Sequence, residues 1–167
     1  MNKFLFRLSL FTILFILLFF AAAFAAKDDT SHLFCSWEGF EPDKCASIWL
    51  IKKFVDKEAM FVFVQKGEFI EKGIAFDTPD AELRRYATMS TFESIIKKYD
   101  IKDKIVSKIG DIMHDIEINT WQKKKYDLSK EVIENTLSII KNSKTNDEII
   151  SRSINYFDEL YMKLTAL

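Results

Sequence analysis

Glycine and proline are nearly missing from this chain, four and two among its 167 residues. A sandwich of many short strands needs turn residues at close intervals, so their scarcity argues against that architecture and favours helices. Cysteine is as scarce: Cys35 and Cys45 are the only two. A disulfide-dense scaffold is thereby excluded, and one isolated pair is left to explain. No excess of one charge is present either. The formal net charge is −1, which argues against the basic surface of a nucleic-acid binder. Internal repeats, low-complexity tracts and linkers are missing, as are a phosphate loop, a cofactor fingerprint and a nucleophile motif. The length suits a single domain.

What is present begins with a long apolar run. Residues 1–25 hold Lys3 and Arg7, no acid, then Leu, Phe, Ile and Ala, closing on Ala23-Phe24-Ala25. A positive start, an apolar middle and small residues at the cleavage site make a secretory signal peptide, and acidic Asp28-Asp29 follow it. The competing reading is an uncleaved anchor, since the run approaches the roughly 20 residues that span a bilayer. Cleavage is the expectation, with a periplasmic or secreted mature chain and no stable membrane insertion. Losing Lys3 and Arg7 takes two from the 24 basic residues against 25 acidic ones, for a formal −3. In an oxidising compartment Cys35 and Cys45 read first as a disulfide, tying an irregular arm over residues 26–42 to the helix that follows. A metal pair or redox-active thiols are the other readings of the same two residues.

That helix spans Asp43 to Asp56. Ala46, Leu50 and Phe54 recur every four residues, as do Ser47, Ile51 and Val55, with Trp49 beside the apolar stripe. Trp49, Phe54 and, further on, Phe92 are the expected core aromatics. Lys52 and Lys53 stand at the stripe's border, either snorkelling into water or forming a basic lip beside an anion. Ala59 to Val64 and Ile74 to Phe76 read as strands. Pro79 ends the second strand. Asp77 just past it is either a functional carboxylate or an ordinary turn residue. Arg84 and Arg85 offer a guanidinium fork for an oxyanion. Ser90 and Glu93 form a capping box for the next helix.

A third helix from Lys102 carries Ile105, Val106, Ile109, Ile112, Met113 and Ile116 on one stripe. Near its end Asp111, His114 and Glu117 are spaced three apart. Imidazole with carboxylates suits a borderline or hard divalent cation, although charges at this spacing are ordinary on a solvated helix. Lys123 to Lys125 make a basic loop too small for nucleic acid. Ser129 and Thr145 read as caps of two further helices. The fold class is therefore α+β, a mainly helical single domain with a small sheet near its amino-terminal half.

Four of these runs together resemble the chromate resistance proteins, in the ChrB carboxy-terminal domain. They are Asp43-Lys-Cys-Ala-Ser-Ile-Trp-Leu-Ile-Lys-Lys-Phe-Val-Asp56, Gly73-Ile-Ala-Phe-Asp77, Ser90-Thr-Phe-Glu93 and Ile112-Met-His-Asp-Ile-Glu117. Phe157-Asp-Glu-Leu-Tyr161 adds a fifth, and the resembling domain is placed at residues 43–164. The family's pattern has cysteine where Ser47 and Ser90 stand, proline at Ile48 and histidine at Arg85. Chemistry that needs those thiols is therefore not expected. The resemblance implies an exported chromate-resistance protein without the regulatory part that precedes this domain in longer relatives, so DNA binding does not carry over. One of two alternative ligand sites is expected. A divalent metal ion would be held by His114, Asp115, Glu117 and Asp77. An oxyanion such as chromate would be held by Lys52, Lys53 and Arg85. A binding or sensing module is the leading function, and a metal-dependent enzyme using His114 and nearby carboxylates is the alternative.

Overall fold

The computed structural model describes residues 30–167, and Ser31–Leu167 form one compact unit. The expected signal peptide, with Lys3, Arg7 and Ala23 to Ala25, lies outside the described residues. Strand β1 (Leu33–Trp37) leads to helix α1 (Pro42–Leu50), which runs on as one wide π turn (Ile51–Val55). Strands β2 (Met60–Val64) and β3 (Ile74–Ala75) follow. Then come α2 (Thr91–Lys98), α3 (Lys104–Glu117), α4 (Asp127–Asn142) and α5 (Asn146–Thr165). The sheet is parallel, in the order β2-β1-β3. The domain is thus α+β and mainly helical, with its small sheet in the amino-terminal half. No helix among the described residues is long and apolar enough to cross a membrane.

The central strand β1 falls inside the stretch read as an irregular arm. Leu-Phe-Cys-Ser-Trp is short and weakly alternating, and only its pairing with two strands later in the chain makes it a strand. Phe34 pairs with Phe61 in register and their rings lie 6.1 Å apart, on the face that meets the helices. Period-2 alternation sends Leu33, Cys35 and Trp37 to the other face, with Met60 and Val62 still 56% and 44% exposed. Gly73 is needed at the entry to β3. Its φ is +79°, and an added Cβ would sit 2.5 Å from the Leu33 carbonyl oxygen.

The expected disulfide is not formed in this structure. Alternation turns Cys35 to the outer face of the sheet, while Cys45 belongs to the helical core cluster, and both thiols are free and buried. Burial raises the Cys35 pKa and pushes that of Cys45 up to about 11, which removes reactive thiolate at neutral pH.

Helix α1 is the centre of the unit. All nine of its residues are buried, and it contacts each of the other four helices. Trp49 stacks on Phe92 of α2 at 6.3 Å and packs against Phe157 and Tyr161 of α5. Its Nε1 donates to Asp158 (2.8 Å). Phe54, at 5.6 Å from Trp49, is a half-buried rim of the same cluster. The capping box of α2 is formed by Ser90 and Glu93, and Thr145 caps α5. Ser129, read as the cap of α4, lies inside that helix instead. The helix starts earlier, at Asp127, because Ser129 is held inward by Asp115.

Candidate functional site

One end of the domain gathers most of the unexplained polar groups. Here the amino ends of α1 and α2 meet the carboxyl end of α3 and the loop over residues 77–85. Asp43, in the first turn of α1, is 1% exposed and accepts the amide protons of Thr91 (2.7 Å) and Phe92 (3.1 Å). One carboxylate thus caps a different helix, satisfying donors that the first turn of α2 leaves open. The next residue, Lys44, points its Nζ to the carbonyls of Trp37 (2.7 Å) and Gly39 (2.6 Å). It also lies 3.5 Å from Asp77, and both side chains are less than a tenth exposed. Asp77 sits at φ 53°, a left-handed conformation uncommon outside glycine. It accepts the Thr91 hydroxyl at 2.8 Å.

Glu117 joins this group from the last turn of α3. Burial, with the fields of Glu41 and Asp77 added, raises its carboxyl from 4.5 to about 7 against the pull of Arg85 and Lys124. Burial likewise raises Asp43 well above the usual range, helped by Glu117 and Asp77 and opposed by the two amides it caps. Asp77 is raised too, by burial first, with Lys44 pulling the other way. All three carboxyls are thus biased toward the neutral form, and Glu117, at about 7, can take up and release a proton near neutral pH.

Two clefts open beside Asp77. One, of about 380 Å³, is lined by Asp77, Thr78, Pro79, Arg84 and Arg85. The other, of about 270 Å³, is lined by Trp37, Gly39, Glu41, Lys44, Lys66 and Asp77 among others. The two arginines are partly anchored. Arg84 donates to the Pro79 carbonyl and lies over the Tyr86 ring at 4.9 Å. Arg85 donates to the Glu117 carbonyl at 2.5 Å. Each guanidinium keeps further N–H donors for a ligand.

The residues expected to form a metal site are dispersed. His114 turns its Nδ1 to both carboxylate oxygens of Glu93 (3.1 Å each). Asp115 points the other way, because one residue along a helix turns a side chain by about 100°. It is 1% exposed and takes Asn119, Ser129 and the amides of Lys125 and Tyr126. Burial alone would raise its carboxyl, but those hydrogen bonds outweigh it and hold Asp115 at about 2. Only Glu117 and Asp77 belong to the same carboxyl group. Among the described residues, no three His, Cys, Asp or Glu side chains group closely enough to hold a metal ion. The expected ligand set is therefore not brought together and does not fit a resident cation.

The expected anion residues divide in the same way. Lys52 donates to the Ala59 carbonyl (2.9 Å) and Lys53 pairs with Asp158 at 2.7 Å, so both serve the joint between α1, β2 and α5. The wide π turn, closed by the Asp56 amide on the Ile51 carbonyl, places them there. Of Lys52, Lys53 and Arg85, only Arg85 lines the cleft, beside Arg84. Asp43, Lys44, Thr91 and Glu41 were not among the sequence candidates, although Asp43 and Lys44 open the first resembling run. Ser47, where the family's pattern has a cysteine, is fully buried and its hydroxyl has no hydrogen-bond partner.

Fold and cluster together define a small α+β domain with one polar end rich in carboxyl and guanidinium groups. The chain belongs to the ChrB family of chromate-resistance proteins, in its carboxy-terminal part. The family model described as ChrB, C-terminal domain, matches residues 34–164, from β1 to the end of α5. No curated protein and no solved structure matches the chain.

Proposed function

We propose that this protein is an exported oxyanion-binding module of the chromate-resistance family, acting in the periplasm or outside the cell. The export part rests on the sequence of residues 1–25. The binding part rests on one observation: Arg84 and Arg85, each tethered to a carbonyl, line a single cleft with Thr78 and Asp77. Tethered guanidinium groups suit a tetrahedral dianion such as chromate, because charge-assisted hydrogen bonds need little further ordering of the side chains. Ionised Asp77 and Glu117 would repel that dianion. The raised carboxyl of Glu117 relieves part of the conflict, since a neutral carboxyl repels nothing and can donate a hydrogen bond, and Lys44 offsets the charge of Asp77. Anion binding is therefore coupled to proton uptake.

Calorimetric titration with chromate and with sulfate tests this. Sulfate stays a dianion through neutral pH and so isolates the protein's own titration. Binding is expected to tighten as pH falls below about 7, where Glu117 gains its proton. A charge-assisted hydrogen bond is worth about 1.5–3 kcal/mol, so Arg85→Ala is expected to weaken binding roughly 10- to 100-fold. Lys53→Ala, on the Asp158 side, should leave it unchanged. No binding of either anion, or binding indifferent to Arg85→Ala, rejects the proposal.

A second reading, an enzyme, is favoured by the His114–Glu93 pair. A carboxylate that fixes Nδ1 as donor leaves Nε2 as a proton acceptor. It requires turnover that disappears in His114→Gln while the fold persists.

A further inference from the structure

The loop over residues 118–126 is built in a way that neither the anion cleft nor the core explains. Trp121 at its tip is 97% exposed, and Tyr126 at its end is 42% exposed. Lys123 and Lys125 are exposed between them, and no acid lies between Glu117 and Asp127. On a chain whose overall charge is negative, this is a local basic island with two amphipathic aromatics.

The loop is also held firmly at its base. Buried Asp115 receives the Asn119 amide, the backbone amides of Lys125 and Tyr126, and the Ser129 hydroxyl. Lys124 folds back and donates to the carbonyls of Asp115 (2.7 Å), Ile116 (3.1 Å) and Asn119 (2.8 Å), closing the carboxyl end of α3. The middle lysine of the three is thus structural, and the two beside it stay outside. A tethered loop that keeps an indole fully in water presents it at little ordering cost on binding.

We infer that residues 118–126 form a peripheral anchor for an anionic lipid surface. Trp121 and Tyr126 enter the headgroup layer, and Lys123 and Lys125 pair with lipid phosphates. Charge complementarity selects this occupant: exposed lysines beside Trp and Tyr match the interfacial preference of those side chains and the phosphates of any leaflet that carries anionic lipid. Nucleic acid is disfavoured by the chain's acidic balance and the two-lysine footprint. Two lysines and one indole give weak, salt-sensitive and reversible binding. Since Arg85 is bonded to Glu117, the residue just before the loop, docking would set the anion cleft beside the membrane.

The test uses the full chain with vesicles of phosphatidylcholine alone or mixed with phosphatidylglycerol, both carrying brominated acyl chains that quench nearby tryptophan. Wild type is compared with Trp121→Phe, so any membrane affinity of residues 1–29 is common to both. The expected result is a quenched fraction of emission in phosphatidylglycerol vesicles that Trp121→Phe lacks, and that disappears at high salt. Lys123→Gln with Lys125→Gln is expected to weaken that quenching about 25-fold in lipid concentration, roughly fivefold per lysine. Trp121 and both lysines are exposed, so thermal midpoints should match wild type and certify the fold. Equal quenching in wild type and Trp121→Phe, or equal quenching in neutral vesicles, overturns the inference. Retention by added nucleic acid with no response to phosphatidylglycerol overturns it as well.

Discussion

The Asp43 carboxylate reaches across 48 residues to take the Thr91 amide at 2.7 Å, so the first turn of one buried helix caps the start of the next. Asp43 belongs both to the frame and to the polar cluster, because burial first, then Glu117 and Asp77, raise its pKa while Thr91 and Phe92 oppose them. Asp43→Ala strips a buried helix start of its acceptor and is expected to cost about 2–4 kcal/mol. Asp43→Asn keeps one oxygen and mimics the neutral acid, at about 1 kcal/mol. Urea unfolding of the two variants measures the difference. Equal losses would mean that the negative charge, and not the acceptor, matters.

Glu117 gives the domain an unusual pH response. Its carboxyl moves from 4.5 to about 7 on folding, so between these values the folded chain binds more protons than the unfolded one. Stability therefore falls as pH rises through that window, and the raised carboxyls of Asp43 and Asp77 act with the same sign. Glu117→Gln should flatten the thermal midpoint across this range. A midpoint that climbs from pH 4.5 to 7 in wild type would contradict the assignment.

Asp115 has the opposite sign. Its carboxyl is held at about 2 against 3.8, so its contribution is complete above pH 3.8 and is lost as pH falls toward 2. Asp115→Ala leaves the donors of four residues without their acceptor and is expected to destabilise by about 3–5 kcal/mol. Limited proteolysis should cut first within residues 118–126 of this variant. A variant as resistant as wild type would show that the loop is held by other means.

Both thiols should be silent in the folded chain. A thiol reagent is expected to label neither Cys35 nor Cys45 under native conditions and both after unfolding, without a reductant. Labelling that requires a reductant would restore the disulfide.

The helices, their order and the core around Trp49 were legible in the sequence, because a helix buries a stripe whose 3.6-residue period is written locally. The capping box at Ser90 and Glu93 and the cap at Thr145 were equally legible, each being a contact between residues three apart. The family runs were legible as runs, but not the parts their residues play. Lys52 and Lys53 looked like an anion lip, yet the π turn carries them to Ala59 and Asp158. His114 and Asp115 are neighbours in the chain and face different surroundings.

What the tertiary structure alone decided depends on separation along the chain. Strand β1 exists only through partners at Met60–Val64 and Ile74–Ala75, and a parallel pair leaves no local turn to announce it. The carboxyl group of Asp43, Asp77 and Glu117 is assembled from three segments, and burial first, with neighbouring acids brought in by the packing, raises their carboxyls. Local sequence sets which face of an element is apolar; which charges become neighbours is set by how those faces pack.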